Sequence, residues 1–274
     1  MNFLFWNIQR NKKHFNLIKD LLYTEDIDIL MLAEFPDECI NLFLDIINQP
    51  PKIYTYEYVT PYMIYNKVKI FTRFSASLLL PCYDKSQLSA RQLFSPYLNK
   101  YITIITCHLP SKINKSDANL SGFSEDIANY VYEVEKKTEH KRTIICGDFN
   151  MNPFDEGIIK AKGLHAVMDK SIALKKSSTV HEKEYPFFYN PMWGFLGDTG
   201  RGNASGTLYY NSSDHINYYW HIYDQVLIRP ELINYFDCNQ IQIITVIGNK
   251  SLIRNGIINK QYSDHLPIKF NLKL

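Results

Sequence analysis

Long apolar runs are missing from this 274-residue sequence. No stretch approaches the ~20 residues that a membrane-spanning helix needs. The chain also lacks a basic, then apolar, then small-residue leader, and starts directly on Asn2-Phe3-Leu4-Phe5-Trp6. Cysteine is sparse: Cys39, Cys82, Cys107, Cys146 and Cys238 are odd in number, widely spaced and never paired as C-x-x-C. That argues against a zinc knuckle or a disulfide framework. Cys107 and Cys146 sit inside apolar runs, where a small buried thiol fits. Together these absences lead us to expect a reduced, cytoplasmic protein. An excess of one charge sign is lacking too, since 30 Lys and Arg face 28 Asp and Glu, for a net charge of +2. Such a balance does not advertise a basic DNA-coating surface, although it leaves open a local basic patch or a small phosphorylated substrate. No internal repeat and no long linker is present.

The segments that do carry pattern are a mixture of strands and helices. Strands are expected over 2–8, 28–35, 52–59, 62–66, 68–72, 75–80, 88–94, 101–107, 143–147, 223–229, 240–247 and 266–273, from short β-branched or alternating apolar runs. Helical spacing marks 13–23 (Phe15, Ile18, Leu21, Leu22), 36–48 (Ile40, Phe43, Leu44, Ile47), 124–138 with Ser124 as cap, and 153–161 with Asn152 as cap. Many strands in hairpins with a few intercalated helices do not read as strict βαβ alternation. They fit an α+β fold of two packed, mostly antiparallel sheets flanked by helices, spanning 1–274 as a single domain. The stretch 175–221 stands apart. It has little periodicity, five glycines and the aromatics Phe187, Phe188, Tyr189, Trp193 and Phe195, and is expected to be an ordered, substrate-facing loop.

Polar residues recur where the apolar runs end. The tetrapeptide Gly147-Asp148-Phe149-Asn150 closes the run Thr143-Ile144-Ile145-Cys146. Residues two apart on an extended chain point the same way, so Asp148 and Asn150 leave that strand tip on one face, and Gly147 is expected to let a ligand approach the backbone. Asn7 follows Phe3-Leu4-Phe5-Trp6, Glu34 follows Ile29-Leu30-Met31-Leu32-Ala33, and His108 follows Ile102 to Cys107. Asp224 precedes Gln225-Val226-Leu227-Ile228, and Ser263-Asp264-His265 precedes Leu266-Pro267-Ile268. Singly, each has a plain structural reading as a turn former, a solvated carboxylate or a satisfied histidine. Jointly, they build one polar basin at one edge of two sheets.

These residues resemble the ordered signature of the endonuclease/exonuclease/phosphatase superfamily, which includes DNase I, AP endonucleases, neutral sphingomyelinases and inositol polyphosphate 5-phosphatases. The resemblance runs from residue 6 to residue 268. It implies a four-layer α/β/β/α sandwich and Mg²⁺-dependent phosphoester cleavage, with Mn²⁺ as a possible substitute. It further implies that Glu34, Asn7 and Asp264 bind metal, and that His108, Asp148, Asn150, Asp224 and His265 are catalytic, with the general base either Asp148 or His265. Arg73 and Trp193 are candidate substrate contacts, and Glu57 is a candidate orienter of His108. Ser213-Asp214-His215 repeats the Ser-Asp-His tripeptide within the Gly/Ser/Asn loop, without a following alternating strand, so the chemistry is assigned to Ser263-Asp264-His265.

Two departures weaken an abasic-site endonuclease reading. His108-Leu109-Pro110-Ser111 stands where that branch carries a tyrosine motif. Trp220-His221-Ile222-Tyr223-Asp224 is one residue longer than the branch's Trp-to-Asp spacing. The expected function is a DNA endonuclease of low sequence specificity, with the aromatic-rich 185–223 segment stacking bases or wedging a groove. The alternatives are a phosphatase or phosphodiesterase of a small molecule or lipid, and a non-catalytic binding module on the same fold. No run of basic residues near the motifs suggests a grip on extra phosphates.

Overall fold

Parallel pairing in the middle of each of two sheets decides where the polar strand ends meet. The computed structural model describes residues 1–50, 55–61, 67–111, 117–213 and 215–274. The expected strand over 62–66, the start of that over 52–59, and Asp214 lie outside the described residues. Along the chain, β1 (Asn2–Asn7) and β2 (Ile29–Ala33) flank α1 (Phe15–Thr24), and α2 (Ile40–Ile47) follows. Five strands come next: β3 (Glu57–Val59), β4 (Val68–Thr72), β5 (Leu79–Lys85), β6 (Leu88–Ser95) and β7 (Lys100–His108). Beyond α3 (Asp117–Thr138) lie β8 (Thr143–Asp148), α4 (Glu156–Ile159), β9 (Ala166–Val167) and α5 (Lys170–Ala173). The next group is β10 (Ser177–Val180), β11 (Lys183–Pro186), β12 (Phe188–Tyr189), β13 (Leu208–Tyr209), β14 (Trp220–His221) and β15 (Asp224–Ile228). The chain closes with β16 (Gln242–Ile243), β17 (Val246–Ile247), β18 (Lys250–Ser251), β19 (Ile253–Arg254), β20 (Ile257–Ile258) and β21 (Ile268–Asn271).

One sheet has the order β16-β21-β1-β2-β4-β3, and the other β5-β6-β7-β8-β15-β12-β9. β1 and β2 are parallel, as are β7 and β8, so Asn7, Glu34, His108 and Asp148 all emerge at C-terminal strand ends. β15 is antiparallel to β8 and therefore begins, at Asp224, opposite Asp148. β21 is antiparallel to β1, which brings the segment entering it, with Ser263, Asp264 and His265, to the same edge. Apolar side chains from both sheets, among them Phe5, Met31, Ile70, Ile104, Ile144, Val226 and Ile268, share one buried cluster. Phe15 and Phe43 of α1 and α2 pack with Phe35 and Phe71 against the first sheet. Ile127, Tyr130, Val131 and Val134 of α3 bury against Ile105, Cys107 and Ile145 of the second. Helices thus flank both sheets, giving the expected four layers. All five cysteines are free, with Cys107 and Cys146 fully buried as expected. No described helix is long and apolar enough to cross a membrane.

Several local expectations need correction. α3 is already helical at Asp117, so Ser124 is a buried interior residue and not a cap. The helix expected over 153–161 shrinks to α4, capped at Asp155. Asn152 instead accepts a bond from the Ile222 amide at 3.0 Å and meets His221 Nδ1 at 3.1 Å. Nor is 175–221 one long loop: β10 and β11 form a hairpin, and β12 joins the second sheet beside β15. Phe187, Phe188, Tyr189 and Phe195 are consequently buried and pack the fold; they do not face a substrate.

One buried imidazole makes stability pH-dependent. His140 Nδ1 accepts the Arg142 amide at 3.2 Å, while its Nε2 is buried without a hydrogen-bond partner among the described residues. Burial first, and Arg142 second, push its pKa down to about 4. A histidine depressed in the folded state favours folding above its unfolded value near 6.5 and destabilises as pH falls from there toward 4. Solvent screening at this partly buried position reduces the effect to about 1 kcal/mol. Chemical denaturation at pH 7 and pH 4.5 should show His140→Gln losing that much less stability than wild type across the interval.

Candidate active site

His265, Asp224 and Asp148 form the buried wall of the basin. Register places His108 beside Asp148 on one side and Asp224 beside it on the other. Asp224, fully buried, accepts from His265 Nδ1 at 2.8 Å, and the opposite ring nitrogen lies 3.9 Å from Asp148 Oδ2. Thr207 fixes the approach of Asp224, its hydroxyl oxygen accepting the amides of Tyr223 and Asp224 at 3.2 Å each. Burial disfavours a charged imidazole, but Asp224, Asp148 and Asp264 outweigh it and hold the His265 pKa up at about 10. Burial also raises Asp224, with the adjacent imidazolium opposing the shift. Both shifts are upward, and the ring nitrogen opposite the Asp224 bond faces Asp148.

Across the basin, Asn7 Nδ2 donates to Glu34 Oε1 at 3.3 Å and to Asp148 Oδ2 at 3.2 Å. His108 Nε2 stands 3.8 Å from each of the same two carboxylates. Ser263 ties the two chain ends together, donating from Oγ to the Asn7 carbonyl at 2.7 Å, and Trp6 donates its indole N–H to the His265 carbonyl at 2.9 Å. Glu34 and Asn150 both adopt left-handed backbone, with φ of 51° and 50°. Such conformations are uncommon for residues with a side chain and cluster at functional sites. Asn150 is locked from both sides, its amide on Asp148 Oδ1 at 2.9 Å and its Nδ2 on the Leu109 carbonyl at 2.9 Å.

The basin therefore gathers Asn7, Glu34, His108, Asp148, Asn150, Asp224 and His265. Asp264 borders it, its Oδ2 accepting from Gln9 Nε2 at 3.2 Å. Trp193 packs against Phe154, with ring centroids 6.3 Å apart. Three expectations are corrected. Arg73 lies at the far end of β2, ion-paired to Asp26 and Asp28, because β4 runs antiparallel to β2 and carries its C-terminal end away from the basin. Glu57 is at that far end too, opposite Thr72 and bonded to the Ala76 amide, so the carboxylates beside His108 are Glu34 and Asp148. Gly147 has a packing role: a Cβ there would meet the Cys107 carbonyl oxygen at 2.0 Å, so its missing side chain serves the β7–β8 contact and does not make room for a ligand. Thr207 carried no sequence signal, since its partners are backbone amides distant in the chain.

A family model described as "Endonuclease/Exonuclease/phosphatase family" matches residues 4–265. The chain belongs to the endonuclease/exonuclease/phosphatase family. Members of this family hydrolyse phosphoesters and generally use a divalent metal. Among solved structures, a family protein from Bacteroides thetaiotaomicron is similar over 98% of this chain and 93% of its own, at 11% identity and a TM-score of 0.61. The endonuclease domain of TRAS1, a telomere-specific non-LTR retrotransposon, is similar over 100% and 98%, at 14% identity and 0.53. D. rerio TDP2, solved with a single-strand DNA product, is similar over 98% and 97%, at 12% identity and 0.54. No curated protein matches the chain at a significant level.

The donor set fits the family's divalent metal. Glu34 and Asp148 bring two carboxylates within reach of one amide, that of Asn7, and oxygen donors of this kind suit Mg²⁺. Asp148, Asp224 and His265 also place three potential ligand atoms within 4.8 Å of one another. In that second group Asp224 Oδ2 and His265 Nδ1 are already bonded to one another at 2.8 Å.

Proposed function

We propose that this chain is a Mg²⁺-dependent phosphodiesterase, a single domain over 1–274, that hydrolyses DNA phosphodiester bonds with low sequence specificity. The observation that carries the proposal is the facing pair of walls: the His265–Asp224 pair directed at Asp148, opposite the Asn7 amide that joins Glu34 to Asp148. Fold neighbours named as an endonuclease domain and as a complex with single-strand DNA support a nucleic-acid substrate. Glu34, Asn7 and Asp264 would hold the metal, with Asp148 available as a further ligand. A bound divalent cation supplies charge stabilisation at phosphoryl oxygens and acidifies water.

The remaining chemistry belongs to the side chains. Asp148 accepts the proton of the attacking water, and His265 meets a phosphoryl oxygen as charge builds there. Asp224 fixes the imidazole's orientation. Asn150 holds a phosphoryl oxygen, and His108 is placed to protonate the leaving oxygen. Five free thiols are consistent with work in a reducing, cytoplasmic setting. The near-neutral charge favours a second reading, hydrolysis of a small or lipid phosphoester. A non-catalytic role is disfavoured because no acidic, amide or imidazole group of the basin is missing.

Supercoiled plasmid, RNA, an abasic duplex and a phosphoinositide panel, each incubated with Mg²⁺ or with EDTA, separate these readings. The expected result is plasmid nicking that EDTA abolishes and added Mg²⁺ or Mn²⁺ restores. Phosphate release from a small substrate without nicking of any nucleic acid would overturn the nuclease, and full activity in EDTA would overturn the metal.

A further inference from the structure

Two features flank the basin, one on each side of Asp148. Beside Glu34 and His108 opens a groove of about 1040 Å³ whose walls include Arg10, Lys12, Lys67 and Lys69. Lys69 is buried against Asp37 at 2.7 Å and serves to pin β4 to the turn after β2. Arg10, Lys12 and Lys67 are exposed and have no ion-pair partner among the described residues. Asp37 and Glu38 border the same groove, so its positive potential is local, on the scale of a few phosphates. The second flank is the β13–β14 hairpin. It is rooted in the catalytic pair, for Leu208 bridges His265 across the strands and β14 ends three residues before Asp224. Tyr210, Tyr218 and Tyr219 are about half exposed on it. Tyr218 is backed by Phe154, four residues past Asn150, with centroids 5.3 Å apart, and by His221 at 6.1 Å.

We infer that the substrate of this site is a nucleic-acid strand with unpaired bases, its phosphates on one side of the cleaved bond lying along Arg10, Lys12 and Lys67 and a base on the other side stacking on Tyr218. The inference rests on the phosphodiesterase reading and adds the state of the strand. A tyrosine face presented at a rim can stack a base of any identity, which gives affinity without sequence preference. A paired base has both faces occupied, and exposing one costs a few kcal/mol of unstacking. The cations add a salt-dependent grip of a few phosphates, each contributing about 0.7 to the salt slope on a single strand. Backing by Phe154 and His221 keeps the Tyr218 ring from collapsing onto the surface, which lowers the ordering cost of stacking.

The test compares kcat/KM on a single-stranded DNA, on the blunt duplex of the same sequence, and on bis-p-nitrophenyl phosphate, a diester with no base or second phosphate. Wild type is expected to cut the single strand at least about tenfold faster than the duplex, consistent with the unstacking cost. Tyr218→Ala should lose about 5- to 150-fold on the single strand, the range for removal of one stacking platform, with bis-p-nitrophenyl phosphate unchanged. Tyr218→Phe should retain wild-type rates, which separates stacking from misfolding. Arg10→Ala/Lys12→Ala/Lys67→Ala should lower the salt slope of single-strand binding by about 2. A duplex cut as fast as the single strand, with Tyr218→Ala indistinguishable from wild type, overturns the inference. So does hydrolysis of bis-p-nitrophenyl phosphate with no cleavage of any nucleic acid, an outcome that leaves the phosphodiesterase reading standing. No hydrolysis of the small diester would instead remove the reading on which the inference depends.

Discussion

Asp148→Asn is expected to lower kcat for phosphodiester hydrolysis by about 10³-fold or more, the scale set by losing a positioned proton acceptor together with its negative charge. Four groups depend on that carboxylate. The Asn150 amide and Asn7 Nδ2 donate to its two oxygens, and His108 and His265 face it at 3.8 and 3.9 Å. Asparagine has the same shape, so the main chain has no reason to move. It replaces one acceptor with an amide that meets the Asn7 amide donor for donor. The variant should therefore unfold within a few degrees of wild type while its activity disappears. Single-turnover kinetics together with circular dichroism melting check both halves. Activity within tenfold of wild type would remove Asp148 from the machinery, whatever its position.

The neighbouring glycine gives the second large effect, on stability. Gly147→Ala is expected to cost about 3 kcal/mol or more, the range for overpacking a buried site. An added Cβ falls 2.0 Å from the Cys107 carbonyl oxygen and 2.7 Å from Cys107 Sγ. Cys107 pairs with Gly147 in the parallel β7–β8 register, so the carbonyl cannot retreat without breaking the pairing that also holds His108 beside Asp148. A Tm lower by roughly 6–12 °C follows for a chain of this size. The distinguishing control is Cys107→Ala. It removes the thiol but not the carbonyl, so the double variant Cys107→Ala/Gly147→Ala should remain as unstable as Gly147→Ala. Rescue by Cys107→Ala would place the clash on the side chain.

Much of the site was legible because strand ends are local events. A short apolar run bounded by a polar residue predicts both a buried strand and a polar tip, and β1, β2, β7, β8 and β15 each follow that rule. What failed were inferences about neighbours. Glu57, 51 positions from His108, sits at the opposite edge of its sheet, whereas Glu34 and Asp148, 74 and 40 positions from His108, are its carboxylate partners. Arg73 failed for the same reason, since antiparallel β4 carries its C-terminal end away from the edge where β2 delivers Glu34. The 175–221 stretch looked like one loop because two-residue strands such as β12 are too short to show a period. They are strands only because β15 and β9 offer them hydrogen bonds.

The basic groove shows the same division. Arg10, Lys12 and Lys67 form no run in the chain, and no window of sequence contains them together. They converge because the turn after β1 and the entry into β4 both open beside Glu34. The sequence by itself determined the chemistry at each strand tip, because alternation, apolar run length and turn residues act within a few positions. Only the tertiary structure decided which tips share a basin, which residues face a substrate and which pack the interior. Strand direction and sheet order set those, and both depend on hydrogen bonds between segments far apart in the chain.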